Sequence, residues 1–405
     1  MLTSVFPRWT GDATPPFVRN QAEALVVAGW RVTVLAPHSK GARFRETVNG
    51  VRVIRFPYAF PWGVQKLCYE GGMLINLRTR PWTRFLLYHF LTAQIIATGW
   101  LLLRLRPQML HTHSLLPQGF TGALLSGVAG IPHVTTSHGN DVFGLRPDGL
   151  MGRLKRWVLQ TADAVTVNSS ATESAVRALG CAPEKIHRIP AAPNARPPHP
   201  ETVTRIQEDI IGTRSPVLLF VGRVIQDKGV GDLIDAVALL KNAFPGLLCL
   251  IVGDGQDRPA FEAQAAKHGV TGHLHWAGWV DPTEVSSWMR AADIMVVPSR
   301  ESESGWKEAQ GLVVVEAMLT SRPVVATRTG GIPDMIEHEV TGLLVPPGDA
   351  KALSEALKSL VTDPAECERL ARNACTRADE RFSPEAVTRA TATLYQSIAD
   401  RKSRA

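Results

Sequence analysis

The chain has 405 residues, 45% of them hydrophobic and 20% charged, and a formal net charge of +7. That length exceeds one ordinary hydrophobic core and implies two domains, and the composition excludes a disordered chain. Five cysteines without paired spacing exclude a disulfide framework or a thiolate metal site, and fit a reducing, cytoplasmic setting.

The opening "MLTSVF" reads as a strand, without the basic and apolar regions of a secretory leader. An amphipathic helix, "FVRNQAEALVVAGW", follows and stops at Gly29, and "RVTVLAP" and "GVRVIRFP" read as the next strands. Between Glu70 and Asp141 there is no carboxylate, while Arg78, Arg80, Arg84, Arg104 and Arg106 flank the apolar run "FLLYHFLTAQIIATGWLLL". His89, Thr92, Gln94 and Thr98 interrupt it, and about 20 apolar residues are needed to cross a bilayer. Segment 85–103 therefore keeps three readings: a core helix, an interfacial helix on anionic lipid with Trp82 and Trp100 near its ends, or a membrane span.

Strands at "QMLHTHS", "PHVTTSH", "ADAVTVNSS" and "KIHRIPAA" alternate with helices over 119–129 and 150–161. Short apolar strands separated by helices imply crossovers and a parallel sheet. The proline-rich, aperiodic "AAPNARPPHPETV" reads as a linker. After it the pattern restarts with "PVLLFVG", "LLCLIVG", "HLHWAG", "IMVVPS", "PVVAT" and "TGLLVPP", then helices over 350–360, 364–380 and 384–400. The expected fold is α/β: two doubly wound, Rossmann-like domains, 1–192 and 216–382, facing a central cleft. A linker over 193–215 joins them, and a C-terminal helix, 383–405, crosses back onto the first. Ligands in such sheets sit beyond the carboxyl ends of the strands.

Two stretches carry chemistry. "FVGRVIQDKGV" places Arg223 and Lys228 directly after a strand, with glycines that permit close approach of a ligand. The same stretch is also compatible with a solvated basic loop. In "GWKEAQGLVVVEAM", a helix opening at Gly311 would offer free amides and a positive dipole end to an anion. Glu316, inside that helix, suits a ribose diol, or equally a core-edge ion pair, and Glu308 precedes the helix.

These motifs, with "RPVVATRTGGIPDMI", "TGLLVPPGD", "LHTHSLLPQG" and "TTSHGNDV" in order, resemble family 4 of the retaining glycosyltransferases, in its exopolysaccharide and lipid-linked saccharide branch. The resemblance implies the GT-B fold. It assigns Arg223 and Lys228, with the helix-start residues Gly311, Leu312 and Val313, to the donor diphosphate, Glu316 to the ribose, and Glu308 to the hydroxyls of the donor sugar. His138 matches the histidine beside the donor sugar, and Gly11, Asn140 and Asp141 fall on the acceptor side. Three positions depart from the pattern: Ala309 and Gln310 follow the first glutamate in place of glycine and an aromatic, Gly11 stands alone in its loop, and "IPAAPNARP" replaces an asparagine-glycine hinge.

The implied activity is retaining transfer of a hexose from a UDP- or GDP-sugar to a saccharide or polyprenyl-linked acceptor, at the cytoplasmic face of an anionic membrane. No Asp-x-Asp pair occurs, so no metal or other cofactor is expected. The rival readings are a nucleotide-sugar epimerase on the same fold and an inactive nucleotide-sugar-binding partner. No nucleic-acid recognition motif is present.

Overall fold

The computed structural model describes residues 1–12, 14–144, 148–194, 196–302 and 305–404. The chain divides into two compact units, Met1–Ala192 with Pro384–Ala405, and Pro193–Ser383. Two positions of the stretch "RESES" (303 and 304) and one of the proline-rich segment (195) lie outside the described residues.

In the first unit, α1 (Phe17–Val27) precedes β1 (Thr33–Pro37), β2 (Arg45–Val48) and β3 (Val51–Phe56). Then come α2 (Met73–Thr79), α3 (Arg84–Leu105), β4 (Leu110–His113), α4 (Phe120–Ala129) and β5 (His133–Ser137). The unit continues with α5 (Asn140–Phe143), α6 (Gly149–Thr161), β6 (Ala164–Val167), α7 (Ser170–Ala178) and β7 (Ile186–Arg188). The strands form two runs, β1-β3-β2 and β4-β5-β6-β7, parallel except for the β2–β3 hairpin. Leu2 joins the runs, bridging Leu35 of β1 and Thr112 of β4 in parallel. The expected first strand is thus reduced to one residue. The Thr3 N–H still donates to the Leu35 carbonyl at 3.1 Å, and the Thr3 hydroxyl then bonds the carbonyl of Val5 at 2.9 Å.

The second unit opens with α8 (Pro200–Arg205) and a wider helical turn over Ile206–Ile211. The segment read as a linker over 193–215 is therefore partly helical. Ile206 is fully buried and Ile211 nearly so, and burying them against β8 and β9 repays the ordering of this segment. The sheet elements follow: β8 (Val217–Val221), α9 (Val230–Leu240), β9 (Leu248–Val252), α10 (Arg258–Lys267), β10 (Leu274–Gly278), α11 (Val285–Ala291) and β11 (Ile294–Val297). α12 (Leu312–Leu319), β12 (Val324–Thr327), α13 (Ile332–Met335), β13 (Leu343–Val345), α14 (Ala350–Thr362) and α15 (Pro364–Phe382) complete it. The sheet is parallel in the order β10-β9-β8-β11-β12-β13. β8, β9 and β11 are almost wholly apolar because helices cover both faces.

The chain ends in α16 (Pro384–Arg404), which belongs to the first unit. Its Val387, Leu394, Tyr395 and Ile398 pack with Leu25 of α1 and with Val134 and Ala164 of the sheet, and Gln21 of α1 bonds Thr391 at 3.3 Å.

Candidate functional site

In the second unit, β8 ends at Val221 and delivers "GRVIQDKG" to the carboxyl edge of the sheet. Arg223 is exposed there and has no ion pair among the described residues. Lys228 is half-buried, forms an ion pair with the Glu308 carboxylate, and lies 5.4 Å from the ring centroid of Trp306. Gly229 is required by close packing, since a Cβ there would stand 1.8 Å from the Pro298 carbonyl oxygen, and its φ of +70° is left-handed. Arg300 clasps Asp232 in the first turn of α9, and its backbone N–H bonds the Asp227 carbonyl at 2.9 Å, so the basic loop is fixed from below.

Glu308 is held by the turn after β12. The Gly331 N–H donates to the Glu308 carbonyl at 2.8 Å, and Gly330 lies so close to that carbonyl that a Cβ would come within 1.8 Å of it. Gly311, at φ +80°, caps α12 and is buried. The amides of Leu312 and Val313 occupy the first turn, where a helix has no i−4 partner to give them. Glu316 lies one turn further on. Burial raises its carboxyl from 4.5 to about 7, and the Asn194 N–H, donating at 2.9 Å, partly offsets that. Asn194 also ties to the Pro282 carbonyl at 2.9 Å. All seven donor-side residues assigned from the sequence thus lie on the β8–α9 loop, on the approach to α12, or in α12 itself.

In the first unit, His138 follows β5 and is half-buried. Its ring lies 4.7 Å from that of Phe17, and its Nε2 is 3.1 Å from His113 Nδ1. His113 stacks on His111 at 4.4 Å, and His111 bonds Tyr395 through Nδ1 and Thr136 through Nε2 at 2.6 Å. Burial holds all three imidazoles below their usual range, His138 at about 4, so the row is neutral near pH 7. Gly11 is exposed in a turn pinned by Arg8, which grips Asp12 at 2.8–2.9 Å. Asn140 is exposed and opens α5.

Asp141, assigned to the acceptor side, turns its carboxylate inward. It is 4% exposed and accepts from the N–H groups of Leu115 at 2.8 Å and Gly139 at 3.2 Å, and from the Ser137 hydroxyl at 2.9 Å. Its charge also supports that of the buried Lys155. With its oxygens engaged inward, Asp141 shapes the loop that carries His138.

His113, Asn194 and Trp306 were not singled out from the sequence. For His113 the signal was the alternation in "HTHS", which puts His111 and His113 on one face of β4. Asn194 lay in a stretch dismissed as linker, and Trp306 in a loop without periodicity. Among the described residues no three His, Cys, Asp or Glu side chains are grouped so as to hold a metal ion.

A family profile described as "Glycosyl transferases group 1" matches residues 204–377, and one described as "Glycosyl transferase 4-like domain" matches 14–192. A 2-deoxystreptamine glucosyltransferase of Streptomyces kanamyceticus is 30% identical over 257 residues, covering 60% of this chain and 65% of that protein's length. A glycogen synthase of Mycobacterium tuberculosis is 28% identical over 409 residues, covering 93% and 89%. Anabaena HepE, solved in complex with UDP-glucose, superposes with a TM-score of 0.72 at 19% identity over 98% of this chain and 99% of that one, a likeness of fold. With both halves matched in order and the fold shared across its length, the chain belongs to the group 1 glycosyltransferases, enzymes of the GT-B fold.

Proposed function

We propose that the chain moves a hexose from a UDP- or GDP-linked donor to a saccharide or polyprenyl-linked acceptor, with retention of configuration and without a metal ion, in making a cell-surface polysaccharide or glycolipid. The observation that carries this reading is the convergence of Lys228, Glu308 and the start of α12. A diphosphate at the first-turn amides gains the helix dipole and Lys228, and Arg223 adds a fork for its oxygens. As the bond to the anomeric carbon breaks, this fixed positive charge stabilises the leaving nucleoside diphosphate. Glu316 holds the ribose hydroxyls and Glu308 those of the donor sugar. The acceptor hydroxyl attacks the face from which the diphosphate departs and passes its proton to the leaving phosphate oxygen. The nucleotide-sugar bound by HepE is of the class expected here.

The lipid-linked acceptor and a place at the membrane surface draw support from α3. Phe85 (81% exposed), Tyr88, Ile96, Trp100 and Leu103 (82% exposed) share its outer face. Gln94 and Thr98 are on the buried face, where Gln94 donates to the Thr121 hydroxyl at 2.7 Å and accepts from Gln118 at 3.1 Å. Its outer face is largely apolar, its inner face sets Gln94 and Thr98 among the core residues Phe90, Leu101 and Leu102, and arginines lie near both ends, which suits an anionic lipid surface on the outer side. The inner side of the same helix packs into the core of its unit through Phe90, Leu101 and Leu102, so the lipid reading concerns the outer face alone. The test is release of UDP or GDP from each class of sugar donor with a polyprenyl-linked saccharide, with and without EDTA, and with the anomer of the product read by NMR. Inversion, or activity abolished by EDTA and restored by a divalent ion, would overturn the proposal.

A further inference from the structure

The first unit holds a cavity of about 320 Å³ that the donor chemistry does not use, lined by Arg8, Trp9, Lys40, Trp62, Lys66 and Tyr69 among others. Its volume falls in the range of small-molecule sites, roughly 300–1,000 Å³. It lies where three segments emerge: the turn after Leu2, the end of β1, and the connection from β3 to α2.

Its walls are built rather than incidental. Tyr69 is buried, and its hydroxyl donates to the Pro37 carbonyl at 3.1 Å. The Arg8 guanidinium is sandwiched 4.3 Å from the Trp9 ring and 4.9 Å from Tyr69, with its charge taken up by Asp12. Buried Gln65 binds His38 Nδ1 at 2.9 Å, and the His38 ring stacks on Phe44, which meets Trp62 edge-on at 5.5 Å. Trp9 and Trp62 nonetheless remain 47% and 37% exposed.

The charge is one-sided. Glu70 is paired with Arg80 at 3.1 Å, whereas Lys40 and Lys66 are exposed and have no ion pair among the described residues. Trp9, with Arg8 covering one side of its ring, and Trp62 keep partly exposed aromatic surface that would favour the partly positive C–H face of a pyranose, and two unpaired ammonium groups at the same rim favour an anionic substituent on it.

We infer that this cavity binds the acceptor, and that the acceptor saccharide carries an anionic group, a phosphate or a carboxylate, held by Lys40 and Lys66 while its ring lies against Trp62 and Trp9. The inference rests on the transferase reading above and adds the charge of its acceptor. Lys66 and Lys40 set specificity here rather than chemistry.

The experiment is titration calorimetry of the full chain with glucose 6-phosphate, glucuronate, glucose and inorganic phosphate, each repeated for the Lys40→Ala/Lys66→Ala and Trp62→Ala variants, with UDP and GDP binding measured in parallel. At least one of the two charged sugars should bind about tenfold more tightly than glucose, the equivalent of one favourable charge contact. That advantage should vanish in the double lysine variant, and Trp62→Ala should weaken the sugar while leaving nucleotide binding unchanged. Preference for the 6-phosphate identifies a phosphorylated acceptor, and preference for glucuronate an acidic sugar. Glucose binding as tightly as its charged derivatives, inorganic phosphate binding as tightly as the sugar phosphate, or no binding of either charged sugar would each overturn the inference. Loss of UDP and GDP binding in the unmodified chain, with charged sugars still bound, would instead count against the donor reading alone.

Discussion

Two apolar helices of the chain, α12 and α3, divide their carbon differently. α12 buries Val314, Val315, Ala317 and Met318 in the core of its unit and carries its polar resources as the first-turn amides at its start and Glu316 in mid-helix. α3 buries Phe90, Leu101 and Leu102 together with Gln94 and Thr98, and turns a second apolar set, Phe85, Tyr88, Ile96, Trp100 and Leu103, outward. Apolar composition alone says that a face avoids water, not what it meets instead. In α12 the core holds a carboxylate still, and burial raises its affinity for a proton. In α3 the core residues Phe90, Leu101 and Leu102, with the Gln94 bonds among them, fix the inner face and leave the outer apolar face to something outside the chain.

The sharpest way to break this account is at the approach to α12. Glu308→Gln is expected to lower turnover about 100-fold or more while nucleotide affinity stays level or rises, because Lys228 loses its anionic partner. Steady-state kinetics with parallel calorimetry would check it, and equal losses in both would remove Glu308 from the donor sugar.

On the α3 side, Gln94→Ala leaves the buried groups of Thr121 and Gln118 without their partner and is expected to cost about 1–3 kcal/mol of stability in denaturant titration. An unchanged midpoint would mean that the inner network does not fix the helix.

Glu316 gives a pH test. In the folded chain its carboxyl binds a proton more tightly than at the ordinary 4.5, so its contribution to stability is lost as pH rises from there through about 7. Glu316→Gln is therefore expected to raise Tm at pH 8 and leave it nearly unchanged at pH 5. Nucleotide affinity should fall as pH drops below about 7 in the unmodified chain and be flat in the variant.

The smallest effect on stability belongs to the outer face of α3. Ile96→Asp, 66% exposed, is expected to change stability by less than about 0.5 kcal/mol. Co-sedimentation with anionic vesicles should nonetheless drop, and salt should weaken what remains. Binding that survives both the substitution and high salt would place the lipid contact elsewhere.

Much of the fold was legible because buried parallel strands are nearly continuous apolar runs, as in "VLLFV" and "LCLIV". β2 escaped, although its signal was present. Asn49 and Gly50 both take positive φ, as the tight turn of a β-hairpin requires, and the dipeptide lies between alternating segments. The helical stretch over 200–211 was hidden by the proline that starts it, a residue well suited to a first helical turn. At the site, local motifs put Lys228, Gly311 and Glu316 on named elements. What they could not reveal were partners distant in the chain: the N–H of Asn194 on Glu316, or the backbone donors that turn Asp141 inward. The facing of α3 was equally hidden, since periodicity finds a stripe without saying which side of the helix is the inside.

The most direct measurement is thermal unfolding of the chain and of its Lys228→Ala variant with UDP and with GDP, each with and without EDTA. Nucleotide at about 100 times its Kd adds roughly 2.7 kcal/mol. The account predicts an EDTA-insensitive rise in Tm with one of the two nucleotides, lost in the variant. No rise with either, or a rise that the variant retains, would contradict it.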